Sequence, residues 1–219
     1  MLRKPDEEPL SDECSLAFGI RQTRAGQNHV ALIYKNEQSK TMLLHHGWHR
    51  ETYSHEWDRK YYSAQFQNLD IELQETFADW AAEVAHRLSE NTIPYGVFYN
   101  LKANFDSDGR YVDRNDYSGH TCATFLLDLF YSYQLPLLDL MSWPQDRDGD
   151  AEWQRNIINA LLADGAIESI NVLAQYAMKL RRFRPEEVAS AALLYVDSPL
   201  SFDAVQAPSK LIADAVSAT

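Results

Sequence analysis

The chain has 219 residues, of which 45% are hydrophobic, enough to build a substantial core, and this excludes an intrinsically disordered protein. Its 20 Lys and Arg residues are outnumbered by 32 Asp and Glu residues, which gives a formal net charge of -12. An acidic chain of this kind is not expected to bind the phosphate backbone of nucleic acids or an anionic membrane surface.

The N-terminal residues lack the pattern of a targeting segment. Residues 1–5 are followed by acidic positions, without the apolar run of about seven or more residues that a secretory signal needs. No stretch reaches the roughly 20 apolar residues of a membrane span. We therefore expect a cytoplasmic protein, or one exported without a cleavable signal peptide, whose two cysteines, Cys14 and Cys122, are free thiols.

Strand patterns dominate the first part of the chain. Residues 1–14 are rich in charge and contain two prolines, so they are predicted to form a mobile N-terminal arm. Alternating apolar positions and short β-branched runs then indicate an antiparallel sheet. The predicted strands are residues 16–20, 29–34, 41–46 and 61–66.

Helical spacing replaces this pattern from about residue 69. Apolar residues recur every three or four positions up to residue 88, which predicts a long amphipathic helix. Residues 93–99 are predicted to be a strand and 104–116 a polar loop. After Pro136 the pattern is helical only, with predicted helices at residues 151–163, 167–182, 185–195 and 201–217. We therefore expect a mobile arm (1–14), a catalytic core (15–135) and a helical C-terminal region (136–219) packed on or next to the core.

Cys122 begins the most informative segment. Apolar residues follow it at helical spacing as far as Tyr133, so the cysteine lies in the first turn of a helix that Ser118 or Thr121 caps. The backbone N–H groups and the dipole at a helix N-terminus favour a thiolate and an oxyanion. Cys122 is therefore the predicted nucleophile.

A histidine on the predicted sheet is the expected base, since Cys122 continues the apolar stripe that faces the sheet. If residues 29–34 and 41–46 form a symmetric hairpin with Tyr34 opposite Thr41, His29 lies opposite His46. His29 then acts as general base and His46 orients its ring, which completes a triad. His45 remains an alternative orienter, because the register is assumed.

These residues resemble the circularly permuted NlpC-type papain-like enzymes, which include lecithin–retinol acyltransferase-like proteins, bacterial amidases and effector hydrolases. The resemblance covers roughly residues 16–134. It rests on the order of two motifs: a strand at 29–34 that begins with a histidine, followed later in the chain by residues 119–126, where the helix with the cysteine begins. It implies an α+β fold in which an antiparallel, papain-like sheet packs on the Cys-bearing helix. It also implies thiol catalysis on an amide, isopeptide or ester carbonyl through an acyl-enzyme, without a cofactor.

The chain departs from the acyltransferase branch in ways that favour hydrolysis. Thr121 stands where that branch usually has asparagine, and no hydrophobic anchor is present. A peptide, protein or peptidoglycan-like substrate is therefore expected, as for a bacterial effector hydrolase. Thiol acyl transfer is one alternative. The other is a non-enzymatic acidic adaptor in which Cys122 only fills the core, and the helical C-terminal region is a possible protein-binding surface in either case.

Other candidate sites fit less well. Cys14 followed later by His120 matches the papain order, but strand residues follow Cys14 and offer no helix dipole. No metal site is expected, because the spacing of the clustered histidines matches no zinc pattern and residues 104–115 lack the final Glu of a calcium loop. Residues 146–150 are predicted to be a linker that caps the next helix. The clustered histidines are His45, His46, His49 and His55.

Overall fold

The computed structural model describes residues 2–90, 92–97, 103–112, 119–167 and 181–218. Five strands form one antiparallel sheet in the order β4-β3-β2-β1-β5. The strands are β1 (Leu16–Gln22), β2 (Asn28–Lys35), β3 (Thr41–Trp48), β4 (Glu51–Glu56) and β5 (Tyr62–Gln65). The predicted α+β class is confirmed. The sequence pattern missed β4, an edge strand with no buried side chain and little apolar alternation.

Five α-helices occur within the described residues, together with a short 3₁₀ helix at Leu140–Ser142. They are α1 (Ile71–His86), α2 (Cys122–Ser132), α3 (Asp150–Ala163), α4 (Pro185–Leu194) and α5 (Phe202–Ser217). All of these were predicted to within a few residues. The predicted helix at 167–182 falls almost entirely outside the described residues. None of the described helices combines the length and apolar character needed to cross a membrane.

The sheet has two buried faces that differ in what covers them. One face, which we call the helix face, carries Phe18, Ile20, Val30 and Leu32 in one core with residues of α1, α2, α4 and α5. The opposite face, which we call the outer face, includes Ala31 and Ile33 and is covered by Leu10, Cys14 and Tyr61. Strands β1 and β2 are therefore buried on both sides, which explains their nearly continuous apolar sequence.

The N-terminal residues are packed on the sheet, so the prediction of a mobile arm is wrong. The backbone of Arg3 exchanges two hydrogen bonds with Ser63 of β5, at 2.9 and 3.0 Å. The Pro9 carbonyl accepts hydrogen bonds from the side chains of Ser63 and Gln65, both at 3.1 Å. Leu10 is buried beside Cys14 on the outer face. This segment therefore covers both β5 and part of the outer face.

Residues 93–97 do not form the strand predicted from their apolar sequence. Within the described residues they contribute one isolated parallel bridge, between Tyr95 and His120. Residues 98 and 99 lie outside the described part. The segment is held on its other side by Arg50, whose backbone N–H donates to the Ile93 carbonyl at 2.9 Å. It is thus a short connector inserted between the β3–β4 turn and the start of α2.

The C-terminal helices share the core of the sheet. Helix α4 buries Val188, Ala189 and Ala192 in the helix-face core and contacts β1, β2 and β5. A buried ionic network also ties this region together: Arg147 pairs with Glu187, and Asp150 lies 3.1 Å from Arg184. The N-cap of α3 is Gly149, which lies in the predicted segment 146–150, but no side chain caps the helix, and Asp150 forms ion pairs with Arg147 and Arg182.

Candidate active site

Cys122 is the first residue of α2, as predicted, and Thr121 is the N-cap. A reciprocal capping box fixes this turn. The Thr121 side chain accepts a hydrogen bond from the Thr124 N–H at 3.2 Å, and the Thr124 hydroxyl accepts one from the Thr121 N–H at 2.8 Å. Two N–H groups of the helix start are satisfied in this way. The cysteine is therefore presented at a well-ordered helix N-terminus.

Two glycines bring the connector and the helix start into direct backbone contact. A Cβ atom on Gly119 would lie 2.5 Å from the Gly96 nitrogen, so neither position tolerates a side chain without displacement of the backbone. The His120 N–H donates to the Pro94 carbonyl at 2.9 Å, which holds the same contact. This packing positions Tyr95 beside the first turn of α2.

Cys122 lines a cavity of about 370 Å³ between the start of β2, the connector and the start of α4. The Asn28 Nδ2 group donates a hydrogen bond to Glu186 Oε2 at 3.0 Å. This bond links the wall formed by the start of β2 to the wall formed by the start of α4, although the two residues are 158 positions apart in the sequence. Arg182 and Arg184 form the wall beyond Glu186, with Arg182 stacked 4.2 Å from the ring centre of Trp153. The cavity is thus polar and carries both signs of charge.

The thiol of Cys122 is not activated as the sequence predicted. Its pKa is raised to about 11, because burial in the core disfavours the thiolate. Backbone hydrogen bonds from Val30, Ala123 and Cys122 itself lower the pKa, as a helix N-terminus should, but burial outweighs them. The nearby charge of Glu186 raises it further. Cys122 is only 8% exposed, and because its pKa is raised the thiol is neutral at neutral pH.

His29 lies on the outer face, whereas Cys122 belongs to the helix face. The predicted hairpin register is wrong by one residue, since Thr41 pairs with Lys35 and not with Tyr34. A shift of one residue turns each side chain of a strand to the other face. His29 consequently meets His45, with 3.1 Å between His29 Nε2 and His45 Nδ1. The structure therefore brings His29 and His45 together, but on the side of the sheet away from Cys122.

Burial lowers the pKa values of both outer-face histidines. The pKa of His29 falls to about 3 through burial, with smaller effects from the charges of His45 and Arg21. The pKa of His45 falls to about 4 for the same main reason, with His55 and Arg21 lowering it and Asp58 raising it. The two rings form a neutral pair at neutral pH, one nitrogen donating and the other accepting.

His46 is the predicted site residue that shares the helix face with Cys122. It is fully buried, and its ring stacks on Tyr95 at 5.4 Å and packs against Phe125, one turn after Cys122, at 5.8 Å. Its Nδ1 atom is 2.8 Å from the Thr52 hydroxyl. Its pKa is well below the usual value because of burial and the nearby charge of His120. His46 is thus a neutral imidazole whose Nδ1 atom is held by Thr52 of β4.

Cys14 and His120 are both buried, and their contacts are those of structural residues. The Cys14 thiol donates to the Leu16 carbonyl at 2.9 Å, and burial raises its pKa. It also contacts Gln74, whose side chain accepts from two backbone N–H groups and donates to two carbonyls. His120 Nε2 lies 3.5 Å from the buried Asp128 carboxylate, and burial lowers the pKa of His120 to about 3.

No metal centre is found in the described parts of the chain, which contain no group of three or more His, Cys, Asp or Glu side chains arranged to hold an ion. In the polar loop that begins at residue 104, Asp106 Oδ1 accepts from the N–H groups of Asp108 and Arg110, both at 2.9 Å. It therefore stabilises a turn. Positions 113–115 of that loop lie outside the described residues.

Sequence reasoning missed several cavity residues, chiefly Asn28, Tyr95 and Glu186. Asn28 immediately precedes His29, so assignment of the helix face to even-numbered β2 residues would have identified it. That assignment is not available from β2 alone, because a strand buried on both faces shows no alternation. Glu186 reaches the cavity only through tertiary packing of α4, for which the local pattern contains no information.

Among the histidines of the described chain, none lines the Cys122 cavity or forms a hydrogen bond with the Cys122 sulfur. Cys122 thus occupies the predicted position at a helix start, and the predicted triad is not assembled around it. Comparison with known proteins finds no matching family, no matching curated protein and no matching solved structure.

Proposed function

We propose that the protein is a cysteine-dependent hydrolase of amide, isopeptide or ester bonds, with Cys122 as nucleophile and His46 as general base. One observation carries the proposal: Cys122 begins a capped helix and opens into a polar cavity of ligand size. The backbone N–H groups of the first turn of α2, which lower the pKa of the thiol, are the donors that we assign to the oxyanion of the substrate. His46 replaces His29 as the base in this proposal, because it shares the helix face with Cys122.

The proposed reaction has two steps. The Cys122 sulfur bonds to the substrate carbonyl carbon while its proton passes to His46 Nε2, and the tetrahedral intermediate then expels the amine or alcohol, which takes that proton. Water next attacks the thioester and gives its proton to His46, and the acid leaves as the thiol is restored. Thr52 orients His46 through the 2.8 Å contact with Nδ1. The ring of Tyr95 stacks on the imidazole of His46 and holds it in place.

The pKa shifts determine which form of the pair is present at rest. The raised pKa of Cys122 and the lowered pKa of His46 keep both groups neutral near pH 7. The base must therefore remove the thiol proton during attack, as in serine hydrolases, and no preformed thiolate–imidazolium pair exists. Because His46 stays unprotonated below its usual pKa of 6.5, activity should not fall on the acid side near that value.

Acylation by p-nitrophenyl acetate tests this proposal without knowledge of the natural substrate. We expect acetylation of Cys122, measured by peptide mass mapping, with release of p-nitrophenol. Cys122→Ala should abolish it, and His46→Gln should slow it by about a hundredfold, as expected for loss of a general base. His29→Gln is the matched control and should retain the rate. Release of p-nitrophenol by the wild type no faster than by Cys122→Ala, or an equal loss in His29→Gln, would contradict the proposal.

A second candidate function is non-enzymatic binding, with the acidic protein acting as an adaptor for a basic partner. The raised pKa of Cys122 and the absence of a histidine among the described cavity residues favour it. It predicts that Cys122→Ala keeps partner binding and every biological effect. Loss of the effect in Cys122→Ala, with fold and partner binding retained, would exclude it.

A further inference from the structure

A second cavity, of about 570 Å³, adjoins the Cys122 cavity and leads away from it towards α5. The two share Asp148, Arg184 and Glu186 as a common wall. The far side of the second cavity is formed by α5, including Phe202, Gln206 and Lys210. Each cavity alone has the size of a site for a small ligand. Because the two cavities meet at these three residues, a ligand that passes over the shared wall can occupy both, and we call the pair the groove.

We propose that this groove binds an extended peptide segment whose reactive carbonyl lies at Cys122 and whose acidic side chain lies against Lys210. The inference rests on the proposed hydrolase function and names its substrate class. An extended peptide advances about 3.3 Å per residue, so several residues are needed to pass from one cavity into the next. The end of the groove at Cys122 is thus the subsite for the reactive carbonyl, and the end at Lys210 is the subsite that selects an acidic side chain.

The lining favours a peptide over a glycan or a nucleic acid chain. Side-chain amides at Gln27, Asn28 and Gln206 offer both a donor and an acceptor, which matches the backbone of a peptide. Sugars and bases bind to free aromatic faces, but the rings that line the groove already contact protein groups. Arg182 lies over Trp153, Arg147 lies 5.1 Å from the Phe202 ring centre, and His46 stacks on Tyr95.

The charge preference follows from the ion pairs. Arg147 and Arg184, the other cations of the second cavity, are paired with Glu187 and Asp150. Lys210 forms no salt bridge with any residue of the described chain and is exposed on α5. An acidic side chain of the ligand would therefore supply the counter-ion that Lys210 lacks within the described chain. Such an exposed pair changes binding by only a few-fold, so it acts as a selector and not as the main source of affinity.

Peptidyl chloromethyl ketones provide the test, because they label Cys122 as chloride leaves, the sulfur bonds to the methylene carbon and the thiol proton is released to the base. The probes are glycine chloromethyl ketone and pentapeptidyl mixtures ending in glycine, with Glu or Lys placed at each other position in turn. The measured quantity is the rate constant for Cys122 labelling, followed by mass spectrometry. Cys14 serves as the internal reference.

We expect pentapeptidyl probes to label Cys122 about tenfold faster than the glycine probe, since remote contacts contribute to the reaction. At one position Glu should exceed Lys by about threefold, and Lys210→Glu should reverse that preference. Lys40→Glu, a charge reversal on the β2–β3 turn, should change neither result. Equal labelling by short and long probes, or no reversal in Lys210→Glu, would overturn the inference and leave the proposed function standing. No labelling of Cys122 by any probe would refute both.

Discussion

At the scale of single residues, the site shows how burial competes with a helix N-terminus. The backbone groups around Cys122 act in the direction that the sequence predicted, towards a thiolate. Burial and the charge of Glu186 act in the opposite direction, and they prevail. Glu186 is also the acceptor for Asn28, so the same carboxylate closes the cavity and keeps the thiol protonated.

Replacement of Glu186 by glutamine tests this electrostatic role. Glu186→Gln retains a hydrogen-bonding side chain of the same size but removes the charge, so the pKa of Cys122 should decrease. We expect alkylation of Cys122 by iodoacetamide at about pH 8.5 to accelerate two- to threefold, since the thiolate is the reacting form. Asp148→Asn is the matched control, because Asp148 lines the same cavity without a resolved effect on the thiol. An unchanged rate in Glu186→Gln would show that its charge does not reach the sulfur.

At the scale of elements, the contact between the connector and the start of α2 decides where the site lies. The sequence predicted α2 and its cap, because a run of helical spacing with a capping threonine is a local pattern. It did not predict the backbone contact of Gly96 with Gly119, because neither glycine has an unusual local context. The one-residue error in the β2–β3 register had larger consequences, since it paired His29 with His46, whereas the two side chains lie on opposite faces of the sheet.

Alanine at Gly119 should disturb this contact. The added methyl group would lie 2.5 Å from the Gly96 nitrogen, and a backbone atom has little freedom to move away. We expect Gly119→Ala to lower the free energy of unfolding by about 2–3 kcal/mol, the usual cost of overpacking, as measured by urea denaturation. Gly47→Ala provides the control, since its nearest neighbour is the end of the Tyr53 ring at 3.3 Å. A cost for Gly119→Ala no larger than for Gly47→Ala would contradict the argument.

At the scale of the whole molecule, the predicted catalytic core and the C-terminal region are not independent. The class of the fold and most elements followed from periodicity, because amphipathic helices and apolar strands are local features. The packing of α4 on the sheet did not, since its small residues, such as Ala189 and Ala192, show no strong apolar stripe. The proposed site itself depends on that packing, because Glu186 lies in the first turn of α4.

Truncation after residue 135 should therefore abolish cooperative folding. The shortened chain loses the buried residues of α4 and α5 and exposes the helix face of β1 and β2 to water. We expect it to lack a cooperative urea transition and a near-ultraviolet circular dichroism spectrum. A chain ending at Ser217 removes only the last two residues and should fold normally. A native-like, cooperative spectrum for residues 1–135 would show that the core is autonomous.

The outer-face histidines make stability depend on pH. The folded pKa values of His29 and His45, about 3 and about 4, are below the unfolded value of 6.5. The unfolded chain therefore binds more protons below pH 6.5, and stability falls as the pH decreases from that value towards 4. Arg21, His55 and Asp58 are the other charged groups that influence the pair. Stability that depends on a neutral pair is fully present only above pH 6.5.

This dependence is measurable by urea denaturation between about pH 7.5 and 5. Each histidine contributes a slope of up to about 1.4 kcal/mol per pH unit, the free energy of one pKa unit. His29→Gln should remove its share of the slope at the acid end of the range. His86→Gln is the control, because His86 is at the end of α1 and outside this pair. An equal slope in the wild type and in His29→Gln would contradict the assignment.

The separation of the two cysteines has a consequence for redox chemistry. Cys14 precedes Leu16, which pairs with Tyr34, whereas Cys122 contacts Val30 on the helix face. Four residues of β2 separate these points, roughly 13 Å along the strand, and a disulfide requires Cα atoms within about 7 Å. The native chain therefore cannot close a bridge between its own thiols. An oxidant that acts on the folded protein must therefore do so at each thiol separately.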